Sequence, residues 1–253
     1  MSEHFVPERA TGLKPHEVNI TRQRVLGSGW YGRVFLADVE VSAADGRTRH
    51  KTMAVKDFHT REKNPGLEYK HAKRAMENYA IAKAAGLRVF PTYRLNDAEN
   101  KILMTLGDTD EWICIGSNKG SDIVKNVTGR ELMIKPDEGT TRFIDGVLDQ
   151  AELATRAHIN IMCDMPFFFI DREKQERLDF VLGDMDSLRV LDNKAPRYSK
   201  EILYESNLIE MHISLKDFFR KNLGDPKQYL LLLNEVYVNK GGNLEHLNNL
   251  AGQ

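Results

Sequence analysis

The sequence has few cysteines and no long apolar run, and these two absences exclude several classes of protein. Only two of its 253 residues, Cys114 and Cys163, are cysteine, too few for a disulfide framework or a cysteine-rich zinc site. No apolar run approaches the roughly 20 residues that a membrane helix needs, so we expect no membrane span. The first residues lack the basic start and apolar stretch of a signal peptide. A cytoplasmic location is therefore the default expectation, and a protein secreted without a signal peptide would show the same pattern.

An excess of charge of one sign is also absent, so charge alone indicates no polyanionic partner. The chain has 36 Lys and Arg against 37 Asp and Glu, a formal net charge of −1. Its basic residues form no long run, and we therefore expect neither nucleic acid nor a membrane surface as a partner. The length suits one large domain or two smaller lobes.

What the sequence does contain is a glycine-rich segment, residues 27–34, that reads G-S-G-W-Y-G-R-V. It lies between two runs typical of strands, Arg24–Leu26 and Val34–Val41, the second rich in β-branched residues. The segment is therefore predicted to be the tip of a β-hairpin, whereas a dinucleotide-binding fold has this pattern between a strand and a helix. Glycines at such a tip let backbone N–H groups approach phosphates closely. The alternative is an ordinary glycine-rich turn.

Two further features follow this hairpin along the chain. The run Met53–Lys56 is apolar and ends in a lysine, an unfavourable strand residue unless its ammonium has a function. The spacing of apolar residues predicts a helix over Tyr69–Ala85, and Glu77 lies beside its apolar stripe. This order of glycine-rich loop, strand lysine and helix glutamate resembles the N-lobe of the protein-kinase fold over residues 24–106. The resemblance implies that Lys56 binds nucleotide phosphates and pairs with Glu77.

The alternatives for these residues are plain structural roles. Glu77 could be a solvated helix glutamate, and Glu68 is the alternate partner for the lysine.

Strands are predicted over residues 88–95 and 101–106. The second strand places Met104 or Thr105 where the family contacts the adenine, and both could also be core residues. By the same resemblance, the full set of expected nucleotide-binding residues is Gly27, Ser28, Gly29, Gly32, Val34, Ala54, Lys56, Met104 and Thr105.

The second half of the chain matches the family less closely. Two apolar runs, Phe167–Asp171 and Phe180–Leu182, flank a charged turn and predict a hairpin where the family has one. By motif, Asp164 matches the catalytic-loop aspartate and Asp184 matches the aspartate of D-F-G. The sequence departs from the family here, since Met162 and Cys163 replace the usual histidine and arginine. The catalytic-loop asparagine is missing as well.

Phosphoryl transfer requires positioning and charge neutralisation, and three aspartates are candidates for these tasks. The resemblance implies that ATP is bound with Mg²⁺, an oxygen-preferring cation held by one or two carboxylates. Asp184 is expected to hold the metal, with Asp186 replacing the missing asparagine. Asp164 is expected to orient the acceptor hydroxyl as a base. The alternative is that all three are turn aspartates.

Together these features predict an α+β chain with a kinase-like two-lobe fold. A lead-in segment over residues 1–20 precedes an N-lobe over residues 21–107, with a five-stranded antiparallel sheet and one helix. Residues 108–253 form a reduced, mainly helical C-lobe. In that lobe we expect strands at 111–115 and 131–134, helices at 141–159, 200–223 and 229–238, and a frayed end over 241–253.

The function that this resemblance implies is an ATP- and Mg²⁺-dependent phosphotransferase. It would transfer the γ-phosphoryl group to a hydroxyl of a protein or small molecule whose identity the sequence does not reveal. One alternative is a pseudokinase that binds nucleotide and acts as a scaffold or regulator, and another is an adenylyl transferase on the same fold. Catalytic roles fall to Lys56, Glu77 and Asp164 in the first reading.

Overall fold

The computed structural model describes residues 15–28, 31–43, 45–58, 68–93, 100–107, 110–116, 132–191 and 199–251. Within these residues the chain is an α+β protein with ten strands and five helices. It divides into two compact units. The first comprises residues 1–80 with 90–106, and the second comprises residues 81–89 with 107–253.

The first unit is built on a five-stranded sheet in the order β1-β2-β3-β5-β4, in which every neighbouring pair is antiparallel. This confirms the predicted five-stranded antiparallel sheet. The strands are β1 (Pro15–Ser28), β2 (Gly32–Ala43), β3 (Thr48–Phe58), β4 (Thr92–Tyr93) and β5 (Lys101–Thr105).

Two strand boundaries differ from the prediction. The lead-in over residues 1–20 was expected to be irregular, but β1 begins at Pro15. A proline is tolerated at the first residue of an edge strand, because no ladder N–H is needed there. Within the described part of the strand expected over residues 88–95, namely residues 88–93, strand structure covers Thr92–Tyr93, and Val89 forms an isolated bridge to Leu182. Residues 94–95 lie outside the described residues.

One face of this sheet forms a dry core. Successive strand residues point to opposite faces, so alternate positions of β2 and β3 reach the same side. The residues in this cluster are Ala37, Val39, Val41, Met53, Val55, Tyr93 and Leu103. Helix α1 (Glu68–Ala84) follows β3 and buries Ala72 and Ala75, which confirms the helix predicted over Tyr69–Ala85.

The second unit combines short strands with most of the helices. Strands β6 (Trp112–Gly116), β8 (Pro166–Asp171) and β9 (Leu178–Leu182) form a sheet in the order β6-β8-β9, and β7 (Ile159–Asn160) pairs with β10 (Arg189–Val190). The helices are α2 (Glu138–Arg156), α3 (Lys200–Asn222), α4 (Lys227–Asn239) and α5 (Leu244–Ala251). The predicted β8–β9 hairpin and the three predicted helices α2, α3 and α4 are thereby confirmed.

Buried aromatic rings connect the sheet and the helices of this unit. Phe143 of α2 lies 5.9 Å from Phe168 of β8 and 6.2 Å from Phe180 of β9, measured between ring centroids. Phe218 of α3 packs 4.6 Å from Phe168. Because aromatic side chains bury large apolar areas, this group supplies much of the packing that fixes the β8–β9 hairpin.

The end of the chain and the segment before α2 differ from the prediction. Residues 241–253 were expected to fray, but α5 forms over Leu244–Ala251. The Asn243 side chain accepts the N–H groups of Glu245 and His246, a cap that favours helix initiation. Residues 132–135 form no strand, although the Tyr229 hydroxyl donates to the Ile134 carbonyl at 2.6 Å; residue 131 lies outside the described residues.

The described helices include none whose length and apolar content would suffice to cross a membrane.

Candidate functional site

The glycine-rich segment is the tip of a β-hairpin, as its sequence predicted. Strands β1 and β2 pair through Gly27 with Val34 and through Ser28 with Arg33. Gly29 lies outside the described residues. The pairing of β1 with β2 therefore extends to the end of β1 at Ser28. It holds the backbone of Gly27 and Ser28 beside the hairpin tip.

Gly32 has a packing role that the motif alone did not reveal. A Cβ atom added to it would collide with the backbone carbonyl oxygen of Asp57 and lie 3.0 Å from the carbonyl carbon. Real Cβ atoms do not approach a backbone so closely, and a carbonyl on a central strand cannot move aside cheaply. Gly32 is therefore required for close approach of β2 to β3, whether or not a phosphate binds at the tip.

The register of the sheet brings four of the expected nucleotide-binding residues to one face. Val34 is the cross-strand partner of Lys56, and Ala54 is the partner of Met104. Directly opposed residues share a face, and Lys56 and Ala54 share one because they are two apart on β3. Val34, Ala54, Lys56 and Met104 consequently lie together on the face opposite the dry core.

Thr105 does not share that face. It is the cross-strand partner of Met53, a fully buried member of the core cluster. Neighbouring residues on a strand point to opposite sides of the sheet. Of the two candidates, the register therefore places Met104, and not Thr105, on the face that Lys56 occupies.

Lys56 is a buried cation. Only 7% of its surface is exposed, and its Nζ lies 5.1 Å from the centroid of the Phe58 ring. A buried ammonium is unfavourable unless its surroundings compensate the lost hydration.

The expected ion pair between Lys56 and Glu77 does not form. The Glu77 side chain is 59% exposed and lies 3.8 Å from Lys73 Nζ, one turn earlier on α1. Helix residues advance by about 100° each, so Glu77 points away from the side on which Ala75 is buried. The alternative partner, Glu68, has a side chain outside the described set.

In the second unit, the β8–β9 hairpin brings two aspartate-containing loops to one end. Asp164 precedes the start of β8 at Pro166, and Asp184 follows the end of β9 at Leu182. Because the strands are antiparallel, the start of one lies beside the end of the other. Pro166 pairs with Leu182, which joins the two loops at the base.

Asp184 adopts an unusual backbone conformation within this region. Its φ of 54° lies in the left-handed region, which non-glycine residues occupy rarely and often at functional sites. Its Oδ2 accepts a hydrogen bond from Ser187 Oγ at 3.1 Å, and its carbonyl accepts the Ser187 N–H at 2.8 Å. Asp186 follows in the same turn and is 7% exposed. Two carboxylates are thus held in one tight turn.

A second strand pair fixes the far ends of both loops. Ile159 and Asn160 of β7 pair with Val190 and Arg189 of β10. The Leu191 N–H also donates to the His158 carbonyl at 2.8 Å. Residues 161–165 and 183–188 therefore run side by side between two anchored strand pairs.

Helix α3 holds the Asp164 loop through side chains that sequence reasoning missed. Asn207 Oδ1 accepts the Ile161 N–H at 2.8 Å, and Glu210 Oε2 accepts the Cys163 N–H at 2.8 Å. Ser214 Oγ donates to the Cys163 carbonyl. Positions three and four apart share one helix face. The available signal was the spacing of Asn207, Glu210 and Ser214, which puts three polar residues on one face of the helix.

Cys163, which the sequence resemblance aligned with the arginine of the kinase motif, lies in an environment that keeps its thiol neutral. Burial, followed by the charges of Glu210 and then Asp164, raises the pKa of its thiol to about 12. A neutral thiol is a poor nucleophile and carries no charge. Cys163 therefore supplies neither the cation of the family motif nor a reactive sulfur.

The Asp184 turn carries two carboxylates, and carboxylate oxygen is the ligand type that Mg²⁺ prefers. Across the part of the chain that the structure describes, no group of three or more His, Cys, Asp or Glu side chains is arranged to hold a metal. Mg²⁺ is commonly held by one or two carboxylates together with substrate phosphates. The half-buried Asp184 and buried Asp186 meet that smaller requirement.

No known protein family matches the sequence, and no curated protein is similar to it.

Proposed function

We propose that this protein is an ATP- and Mg²⁺-dependent phosphotransferase with a compact, kinase-like two-lobe fold. It transfers the γ-phosphoryl group to a hydroxyl of a protein or small molecule. The strand order β1-β2-β3-β5-β4, with α1 following β3 in sequence, supports the fold. A cytoplasmic location remains the default expectation for such an enzyme.

The observation that carries the proposal is the shared face of Val34, Ala54, Lys56 and Met104. The face offers apolar side chains for a base and a buried cation for phosphates, next to a glycine-rich tip. Phosphate recognition favours exposed backbone N–H groups together with a lysine.

The second unit supplies the acidic groups of the proposed reaction. Asp184 and Asp186 would hold Mg²⁺, which neutralises phosphate charge when bound. Asp164 accepts the proton of the acceptor hydroxyl. The hydrogen bonds from α3 keep the loop of Asp164 in one conformation, so that the carboxylate needs little reorganisation.

A pseudokinase is the second candidate, and the exposed Glu77 favours it. In the family that glutamate holds the strand lysine, whereas here it pairs with Lys73 at the surface. The protein would then bind nucleotide without transferring phosphate. Adenylyl transfer is the less favoured third possibility, because only the resemblance suggests it.

Transfer of radiolabel from [γ-³²P]ATP in MgCl₂ tests the proposal, with the protein itself and added hydroxyl acceptors as targets. We expect Lys56→Met and Asp184→Asn to lose at least about tenfold in rate, since each removes a charge-assisted contact to the nucleotide or its metal. Glu77→Gln is the matched control. It should retain the wild-type rate, because among the described residues the Glu77 side chain pairs with Lys73 at the surface.

The products separate the three candidates. Phosphate on the acceptor, measured by mass, supports the phosphotransferase, and AMP on the acceptor supports adenylyl transfer. ATP binding with no transfer supports the pseudokinase. Full activity of Lys56→Met would contradict the assignment.

A further inference from the structure

An aromatic stack in the first unit lies directly against Lys56. Lys56 and Phe58 are two residues apart on β3, so their side chains share a face of the sheet. The Nζ atom lies 5.1 Å from the Phe58 ring centroid. The residue Phe58 is 5% exposed. A cation over an aromatic face within about 6 Å is attracted by the ring quadrupole, more strongly when water is excluded.

The Phe58 ring is supported from α1. His71, in the first turn of that helix, stacks on Phe58 at a centroid distance of 5.9 Å and an interplanar angle of 16°. The ring centroid of Tyr31, from the glycine-rich segment, lies 5.5 Å from that of His71. We call Tyr31, His71 and Phe58 the Phe58 stack. It connects the glycine-rich tip, the helix and the strand lysine through ring contacts.

Asn100 fixes the helix and the strand in the register that this stack requires. Its carbonyl accepts the Phe58 N–H at 3.1 Å, and its Oδ1 accepts the Ala72 N–H at 3.3 Å. One residue therefore holds the end of β3 and the start of α1 together. His71, next to Ala72 on the helix, is thereby kept beside the Phe58 ring.

We propose that Phe58 and His71 are positioning residues for the Lys56 ammonium, and that Tyr31 links the glycine-rich tip to the same stack. The inference rests on the proposed function for what Lys56 binds. The stack itself would restrain the side chain whether or not nucleotide is present. The aliphatic stem of Lys56 then needs no further ordering when a phosphate arrives, which favours binding.

Acylation of Lys56 tests the positioning without any nucleotide. The intact protein is treated with acetic anhydride, and peptide mass spectrometry compares Lys56 with Lys73, whose side chain is 68% exposed. We expect Phe58→Leu to raise the relative acylation rate of Lys56 at least about threefold, because the ring no longer attracts and covers the ammonium. Phe58→Tyr keeps the aromatic ring and should therefore keep the acylation rate of Lys56 at the wild-type value.

A second pair of variants keeps the test usable should Phe58→Leu fail to fold. His71→Phe preserves a stacking ring and should leave Lys56 as slow to react as in wild type. His71→Ala removes the support and should speed acylation. Urea unfolding midpoints identify any variant whose faster labelling reflects general loss of stability.

Titration with ATP and MgCl₂ is the second arm, and it separates the two proposals. If wild type binds ATP, we expect Phe58→Leu to weaken binding about three- to tenfold and Phe58→Tyr to restore it. Faster acylation in Phe58→Leu with no ATP binding in wild type would overturn the proposed function and leave the positioning role supported. Equal acylation of Lys56 in wild type, Phe58→Leu and His71→Ala would overturn the positioning role.

Discussion

Gly183 donates its backbone N–H to the carbonyl oxygen of Met165 at 2.8 Å. This bond joins the loop that follows β9 to the loop that precedes β8. Asp184 and Asp164 are the next residues outward on either side. The acidic side of the proposed site is therefore a consequence of hairpin pairing, and a change in this pairing would move both carboxylates at once.

The contact from α3 to the Asp164 loop predicts a selective loss of catalysis. Glu210→Ala removes the acceptor of the Cys163 N–H, so the loop should lose its fixed conformation. We expect kcat for phosphoryl transfer to fall about tenfold while the affinity for ATP stays within about twofold of wild type. Steady-state kinetics and nucleotide titration measure the two effects.

The same variant has a readout that does not depend on activity. After burial, Glu210 is the next cause that raises the pKa of the Cys163 thiol. Glu210→Ala should therefore lower that pKa and speed alkylation of Cys163 by iodoacetamide. Glu201→Ala, in the exposed first turn of the same helix, is the control. It should change neither the kcat of phosphoryl transfer nor the alkylation rate of Cys163. Unchanged alkylation in Glu210→Ala would contradict the contact.

The sheet register predicts opposite outcomes at two adjacent residues. Met104 lies on the Lys56 face and Thr105 lies on the core face. We expect Met104→Ala to weaken ATP binding about three- to tenfold through lost apolar contact. Thr105→Val is nearly isosteric and should leave ATP affinity unchanged. A larger effect from Thr105→Val than from Met104→Ala would show that the ligand uses the other face.

Close packing of β2 on β3 predicts that Gly32→Ala is destabilising even without ligand. The added Cβ would collide with the Asp57 carbonyl, and we expect a loss of about 1–3 kcal/mol in the free energy of unfolding. Gly146→Ala is the matched control. Its Cβ meets Phe180 at an ordinary 3.5 Å, and alanine favours a helix interior by about 0.5–1 kcal/mol. Urea denaturation checks both, and similar stabilities for the two variants would count against the packing role.

A buried histidine makes stability depend on pH. His212 is 2% exposed, and its Nε2 lies 2.9 Å from Asn234 Oδ1. Burial lowers the pKa of His212 from 6.5 to about 4. Between these values the unfolded chain binds a proton that the folded chain does not, so the free energy of unfolding falls as pH decreases from about 6.5 to about 4.

The size of this effect is about 3 kcal/mol, since each pKa unit corresponds to about 1.4 kcal/mol. Carboxylates titrate in part of the same range, so the comparison with His212→Gln isolates the histidine. We expect the unfolding free energy of wild type to fall by about 3 kcal/mol more than that of the variant between pH 7 and pH 4. Parallel curves for the two proteins would refute the assignment.

The elements that sequence reasoning identified are those with strong local signals. The periodicity of α1 and the apolar runs of β8 and β9 are readable without tertiary information. The start of β1 was missed because Pro15 suggests an irregular segment, yet an edge strand tolerates it. Helix α5 was missed because its polar residues obscured the Asn243 cap and the buried Leu247.

The parts of the site that could not be predicted depend on orientation or on distant contacts. Whether Met104 or Thr105 faces Lys56 is decided by strand register, which a sequence does not specify by itself. Glu77 is predicted at the edge of the apolar stripe of α1. A small rotation of the helix about its axis therefore decides whether the Glu77 side chain is buried or exposed to solvent. Glu210 acts on a loop 47 residues away, a contact that only tertiary packing creates.

The most direct test of the account is calorimetric titration of the wild-type protein and Lys56→Met with ATP in MgCl₂. We expect one ATP site in wild type and at least about tenfold weaker ATP binding in the variant, the loss expected for one charge-assisted phosphate contact. Thr105→Val, with its change on the core face, should match wild type. No binding by wild type, or equal affinity with and without the Lys56 ammonium, would contradict it.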